Sequence, residues 1–215
     1  LTNEIGCGKY YENLVLYAHS TGALVAAMYG ADNSSNNGSW RGAIDGYIFN
    51  SPFWDWNLPW YNQMLVDKLD NGMKTGMIAP STVMNSTGGE NSEYSMNLYK
   101  TYGFTDPELK NTKDLYVTAG WMNAVKKVQK ELEKGKLVLK KPTLVMATSA
   151  DDVLDSDSIQ MLSQRLIWKD DPNLFSFQKI GTSKEEPSGH DLLAAPSAIR
   201  VDEAMRHIEH YLYHN

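Results

Sequence analysis

The chain has 215 residues, 42% hydrophobic and 21% charged, a globular balance with length enough for one substantial core. Its formal net charge of −6 at pH 7 argues against nucleic acid or an anionic membrane surface as the main partner. No run approaches the roughly 18 apolar residues of a membrane span, and the single cysteine, Cys7, excludes an intrachain disulfide and lacks the companions of a structural zinc site.

Leu14-Val15-Leu16-Tyr17 reads as a strand, and Thr21 to Tyr29 as a helix stopped by Gly30 at its C′ position. Between them stands Ala18-His19-Ser20-Thr21-Gly22. A strand that breaks at one serine and continues at once as a helix is how a nucleophile elbow is built. Ala18 and Gly22 are expected to be small because larger side chains would collide across so sharp a turn. The hydroxyl of Ser20 would stand clear of the sheet, and the amide of Thr21, first in the helix, would face the oxygen of a bound carbonyl. An ordinary turn with Ser20 as an N-cap has the same local sequence. His19, inside the turn, is expected to point away from the serine and to serve packing.

Asp32 to Ser39 is a polar loop. Asn33-Ser34-Ser35, Asn37-Gly38-Ser39 and Asn85-Ser86-Thr87 fit glycosylation acceptors, which matter only in a secretory pathway, so localisation stays open. Gly42 to Phe49 is the next strand, and the awkward pair Asp45-Gly46 predicts that pairing begins only after Gly46. From Ser51 to about Lys140 helical stretches (Trp60 to Leu69, Gly120 to Glu133) alternate with polar loops, the clearest at Asn85 to Ser95. An insertion of this size between core strands is expected to form a lid. Phe53, Trp54, Trp56 and Trp60 suit the lining of an acyl-binding pocket, or equally a small core holding the insertion to the sheet. Met64, Met73, Met77, Met84 and Met96 add adaptable apolar volume.

Thr143 to Thr148 is a β-type apolar run introduced by Lys141-Pro142 and closed by Ser149-Ala150-Asp151-Asp152. A carboxylate at the C-terminal end of a parallel strand shares a rim with an elbow, which places Asp151 to orient a histidine, with Asp152, Asp155 and Asp157 as competitors. Asp157 reads as the cap of a helix from Ser158 to Trp168. Leu174 to Ile180 is a further strand, leading through the loop Gly181 to Gly189 into His190. A last helix, near Ala198 to Leu212, is expected to bury Ile199, Ala204, Ile208 and Leu212, with His207, His210 and His214 on or beyond its polar face. Only His190 follows a strand and precedes a helix, and it completes the chain order Ser, Asp, His.

Five blocks resemble the serine aminopeptidase S33 or monoacylglycerol lipase (lysophospholipase)-like branch of the α/β-hydrolases. They are Leu14 to Gly22 (LVLYAHSTG), Phe49-Asn50-Ser51-Pro52-Phe53-Trp54-Asp55, the TAGW segment within Val117 to Val125, Ser149-Ala150-Asp151, and Gly189-His190-Asp191-Leu192-Leu193. The resemblance runs from about Leu14 to the C-terminus and implies an α/β-hydrolase fold with a helical lid, Ser20 as nucleophile, Asp151 as acid and His190 as base. Ala18 stands where that branch usually has glycine. Strands and a His-Gly loop that supplies a second oxyanion donor normally precede the elbow, whereas only Leu1 to Asn13 precede it here. The chain is therefore expected to be the C-terminal portion of a longer hydrolase.

The expected organisation is a core at 1–52, a lid at 53–140 and a core carrying the acid and the histidine at 141–215. The expected activity is cleavage of a carboxylic ester, monoacylglycerol or lysophospholipid, through an acyl-enzyme. A serine aminopeptidase and a non-catalytic hydrolase-like binding protein are the alternatives. No metal or organic cofactor is implied.

Overall fold

The computed structural model of the chain describes residues 13–31, 44–55, 68–86, 116–149, 151, 154–167, 170–181, 190–194 and 198–214. It divides into two compact units, one of residues 1–56 and 129–215, the other of residues 57–128. Six strands follow one another along the chain: β1 Val15–His19, β2 Gly46–Asn50, β3 Val83–Ser86, β4 Tyr116–Thr118, β5 Thr143–Thr148 and β6 Phe175–Ile180.

The first unit is built on a four-stranded sheet in the order β1-β2-β5-β6. All three pairings are parallel, so every carboxyl end meets one rim, where crossover loops place functional groups in open α/β sheets. β2 and β5 are buried at every position, as their continuous apolar runs require of central parallel strands. Pairing of β2 starts at Gly46, opposite Val15. Asp45 lies just outside, where its carboxylate accepts from the Leu14 amide at 2.9 Å.

Alternate residues of each strand serve opposite faces. Ile48, Leu144 and Met146 pack with Ala204, Ile208 and Tyr211 of the last helix, α4, Ala198–His214. Its buried stripe is Arg200, Ala204, Ile208 and Tyr211, which keeps Ala204 and Ile208 of the expected stripe and replaces its two ends. Ile199 and Leu212 are exposed because Arg200, paired with Glu203 at 2.8 Å, and Tyr211, donating to the Pro142 carbonyl at 2.7 Å, take the inward positions.

On the other face lies α1, Thr21–Ala31. Gly30 is inside this helix and not its C′ residue. A side chain there would meet Tyr47 Oη at 2.5 Å and Leu139 Cδ2 at 2.7 Å, so this glycine allows a close helix–sheet approach. Gly22, by contrast, faces open space, with no described neighbour within 4 Å of the place a β-carbon would take. The expected collision at Gly22 is absent because the outer side of this first helical turn carries no neighbour among the described residues.

The second unit contains a helical stretch at 68–74 and the antiparallel pair of β3 with β4. Asn85 and Ser86 thus belong to a strand and not to the expected loop. Leu69 and Ala119 form its buried nucleus, with Met73, Ile78 and Met122 against them, whereas Met77 and Met84 are exposed. Met64 and Met96 lie outside the described residues. The helix α2, Ala119–Glu133, carries the chain from this unit back into the first.

Candidate active site

At the end of β1 the backbone of Ser20 adopts φ 52°, a left-handed conformation that costs a non-glycine residue on the order of 1–3 kcal/mol. Three bonds hold it there. The Ser20 amide donates to the Asn50 carbonyl at 3.1 Å, and the Ser20 carbonyl accepts from the amides of Ala23 and Phe53, each at 3.1 Å. The bend makes Thr21 the first residue of α1, where an amide has no acceptor within its own helix and is available to a developing negative charge.

Asp151 follows β5. Its Oδ1 accepts from the Leu154 amide at 2.9 Å and its Oδ2 from His190 Nδ1 at 2.9 Å. The Asp151 side chain is fully buried and that of His190 nearly so. An ionised carboxylate only accepts, so Nδ1 carries the imidazole proton and the Nε2 lone pair faces outward. That lone pair lies 2.9 Å from Ser20 Oγ, within reach of the hydroxyl proton. Such an alignment can strip the proton from the serine as its oxygen bonds to an electrophilic carbon.

Two of the three competing acids, Asp155 and Asp157, are engaged elsewhere. Asp155, not Asp157, is the N-cap of α3, Ser156–Ser163, accepting from the Asp157 amide at 3.1 Å and from Ser158 Oγ at 2.8 Å. Asp157 lies in the first turn and pairs with Lys179 at 3.0 Å. Asp152 is outside the described residues, as are Cys7, Trp56 and Trp60.

Two placements differ from the sequence expectation. His19 does not point away: its ring centroid is 4.8 Å from that of His190, and its Nε2 donates to the His190 carbonyl at 3.4 Å. Trp54 has no exposed surface. It stands edge-on to Phe49 with centroids 5.5 Å apart and donates from Nε1 to the buried Ser163 Oγ at 2.8 Å. Trp54 is therefore a core residue, because the whole side chain is buried and its polar tip is partnered. Phe53 is also largely buried, its carbonyl accepting from Gln129 at 3.2 Å.

Sequence reasoning missed a polar cluster beneath the histidine. Asn50, fully buried at the end of β2, donates to Tyr17 Oη at 2.6 Å and to Asp191 Oδ1 at 2.7 Å. Burial pushes the Tyr17 hydroxyl up to about 12, the Asn50 bond working against that rise and the Asp191 charge adding to it. The available signal was a polar residue ending an otherwise apolar strand. Among the described residues, no group of three or more His, Cys, Asp or Glu side chains could hold a metal ion, and no helix is long and apolar enough to cross a membrane.

The family model described as serine aminopeptidase, S33, matches residues 2–172. The chain belongs to that family. Its match takes in the S33 elbow and Asp151 and ends before the strand that leads to His190. Among solved structures, this S33 hydrolase is similar to the monoacylglycerol lipase of Paleococcus ferrophilus, with 18% identity and a TM-score of 0.60 over 100% of this chain and 72% of that one. It is likewise similar to a soluble variant of the monoglyceride lipase from Saccharomyces cerevisiae, solved with a substrate analogue, with 16% identity and a TM-score of 0.60 over 98% and 68%. At these identities the likeness establishes the fold, that of the α/β-hydrolases. No curated protein matches the sequence of the S33 chain.

Proposed function

We propose that the chain cleaves carboxylic esters with a medium or long acyl chain, of the monoacylglycerol or lysophospholipid type, through an acyl-enzyme on Ser20. The observation that carries this reading is the relay Asp151–His190–Ser20, with both links at 2.9 Å. His190 Nε2 takes the hydroxyl proton as Ser20 Oγ attacks the ester carbonyl carbon, and Asp151 balances the imidazolium that forms. The oxyanion is met by the Thr21 amide. Collapse expels the alcohol, which leaves with the proton from His190, and water repeats the sequence to release the acid. Phe53 is assigned to the acyl chain, and Trp56 and Trp60 share that assignment on sequence position. Residues 53–140, inserted between β2 and β5, are assigned the role of lid on their place in the chain.

The likeness to two monoglyceride lipases supports the ester reading. The family's own description favours a second one, cleavage at a free N-terminus by the same relay. A fluorophosphonate probe tests the common chemistry. It is expected to label the wild-type chain and to leave Ser20→Ala unlabelled, and an unlabelled wild type would overturn the hydrolase reading in favour of a binding protein. A series of p-nitrophenyl esters set against aminoacyl arylamides separates the two substrates. Turnover that rises with acyl length supports the lipid-like ester, whereas arylamide cleavage alone supports the aminopeptidase.

A further inference from the structure

Every residue of the turn His190-Asp191-Leu192 is tied to the rim by a side chain from the end of β1 or β2. The His190 carbonyl accepts from His19 Nε2 at 3.4 Å. The Asp191 carboxylate accepts from Asn50 Nδ2 at 2.7 Å, and the Leu192 amide donates to Asn50 Oδ1 at 3.4 Å. Asp191 Oδ1 also accepts from the Leu193 amide at 3.1 Å, closing the turn on itself. Asn50 spends its remaining amide hydrogen on Tyr17 Oη at 2.6 Å, so three of its four hydrogen-bonding positions are occupied in a fully buried site.

We propose that Asn50 is a positioning residue that latches the His190-Asp191-Leu192 turn to the sheet and so sets the approach of the His190 imidazole to Ser20. The proposal rests on the serine-hydrolase reading. Asn50 is fully buried, and its side chain bonds to Tyr17, Asp191 and Leu192. It acts through the backbone of the turn, whose side chain at His190 is held at its far end by Asp151 and Ser20. The rim geometry explains why an amide suits this position. Asn50 is opposite His19 across β1 and β2, and only a side chain with both donor and acceptor at one tip can hold a carboxylate and a main-chain amide together. A carboxylate at position 50 would keep the acceptor for Leu192 and face Asp191 with like charge. A displacement of about 1 Å in a catalytic group can cost on the order of 10²-fold in rate.

The test is a swap of donor and acceptor in the full chain. Asn50→Asp is nearly isosteric and is expected to lower kcat by about 10- to 100-fold with KM for a p-nitrophenyl ester unchanged. The double variant Asn50→Asp with Asp191→Asn restores one donor and one acceptor in reverse order, and is expected to recover most of that loss. Hydrogen exchange of the peptide spanning residues 190–194 gives a readout free of turnover: its protection should fall in Asn50→Asp and return in the double variant. An active wild type with Asn50→Asp at its rate would overturn the latch alone. So would a loss that the double variant fails to recover, because Asn50 would then be acting through packing and not through this bond. A wild type that neither labels nor turns over would overturn the hydrolase reading instead, whatever the exchange shows.

Discussion

His190 Nε2 stands 2.9 Å from Ser20 Oγ across a separation of 170 positions in the chain. Parallel pairing brings this about, since the elbow after β1 and the loops after β5 and β6 all emerge on one rim. The elbow presents its hydroxyl on a strained backbone that three main-chain bonds hold in place. Strain of this kind persists only where the surroundings over-determine it, and here β2 supplies one of those bonds through Asn50 and the turn after it a second through Phe53.

Asp151→Asn is expected to lower kcat by roughly 10⁴, the loss seen when the acid of a Ser-His-Asp relay becomes an amide and the imidazole takes the wrong tautomer. Asp155→Ala removes the N-cap of α3 and should leave kcat alone while costing about 1 kcal/mol of stability. Steady-state kinetics beside thermal melts of both variants separate the two carboxylates. Equal losses of kcat would remove Asp151 from its special place.

Trp54→Phe is expected to destabilise the chain by about 1–3 kcal/mol, because the buried Ser163 hydroxyl loses its indole donor. The preference among esters of different acyl length should not move, since no face of Trp54 reaches solvent. Denaturant unfolding and a chain-length series check the two halves. A changed preference with unchanged stability would return Trp54 to the pocket.

The sheet is legible in the sequence wherever burial is complete. β5 can be read at its observed bounds because a six-residue apolar run behind Lys141-Pro142 has no competing period. The relay is legible because chain order and strand ends locate Ser20, Asp151 and His190 before any distance is known. What escapes depends on partners far along the chain. Arg200 and Tyr211 displace Ile199 and Leu212 from the buried stripe because a charged head or a hydroxyl can be buried once it finds a partner, and those partners are not visible in the helix's own period. Asn50 stands out locally as a polar end to an apolar strand, but its partners lie 33 and 141 positions away. His19 reads as a packing residue for the same reason, although its ring lies against that of His190.

Gly30→Ala opposes two effects of known size. Alanine gains up to about 1 kcal/mol of helix propensity over glycine, but its methyl would press on Tyr47 Oη and Leu139 Cδ2, the ends of two buried side chains that would have to shift. Overpacking costs about 1–3 kcal/mol, so the expected result is a lower melting temperature. A variant as stable as the wild type would mean that α1 moves off the sheet without penalty.

His19 should make the fold sensitive to mild acid. Burial holds its imidazole below the ordinary value; the charge of Asp191 works against that, and His190 adds to the lowering. The folded ring therefore stays neutral at a pH where the unfolded one, titrating near 6.5, already binds a proton. The unfolded chain then holds more protons, so stability rises with pH in this window and is lost as pH falls from about 6.5 towards the folded value. His19→Gln keeps an N–H donor for the His190 carbonyl and cannot titrate. Urea midpoints for the two proteins between pH 8 and pH 5 should run parallel at the alkaline end and converge or cross below about pH 6.5, with the wild type falling more steeply. Parallel curves throughout would show that the ring beside His190 takes up its proton as readily folded as unfolded.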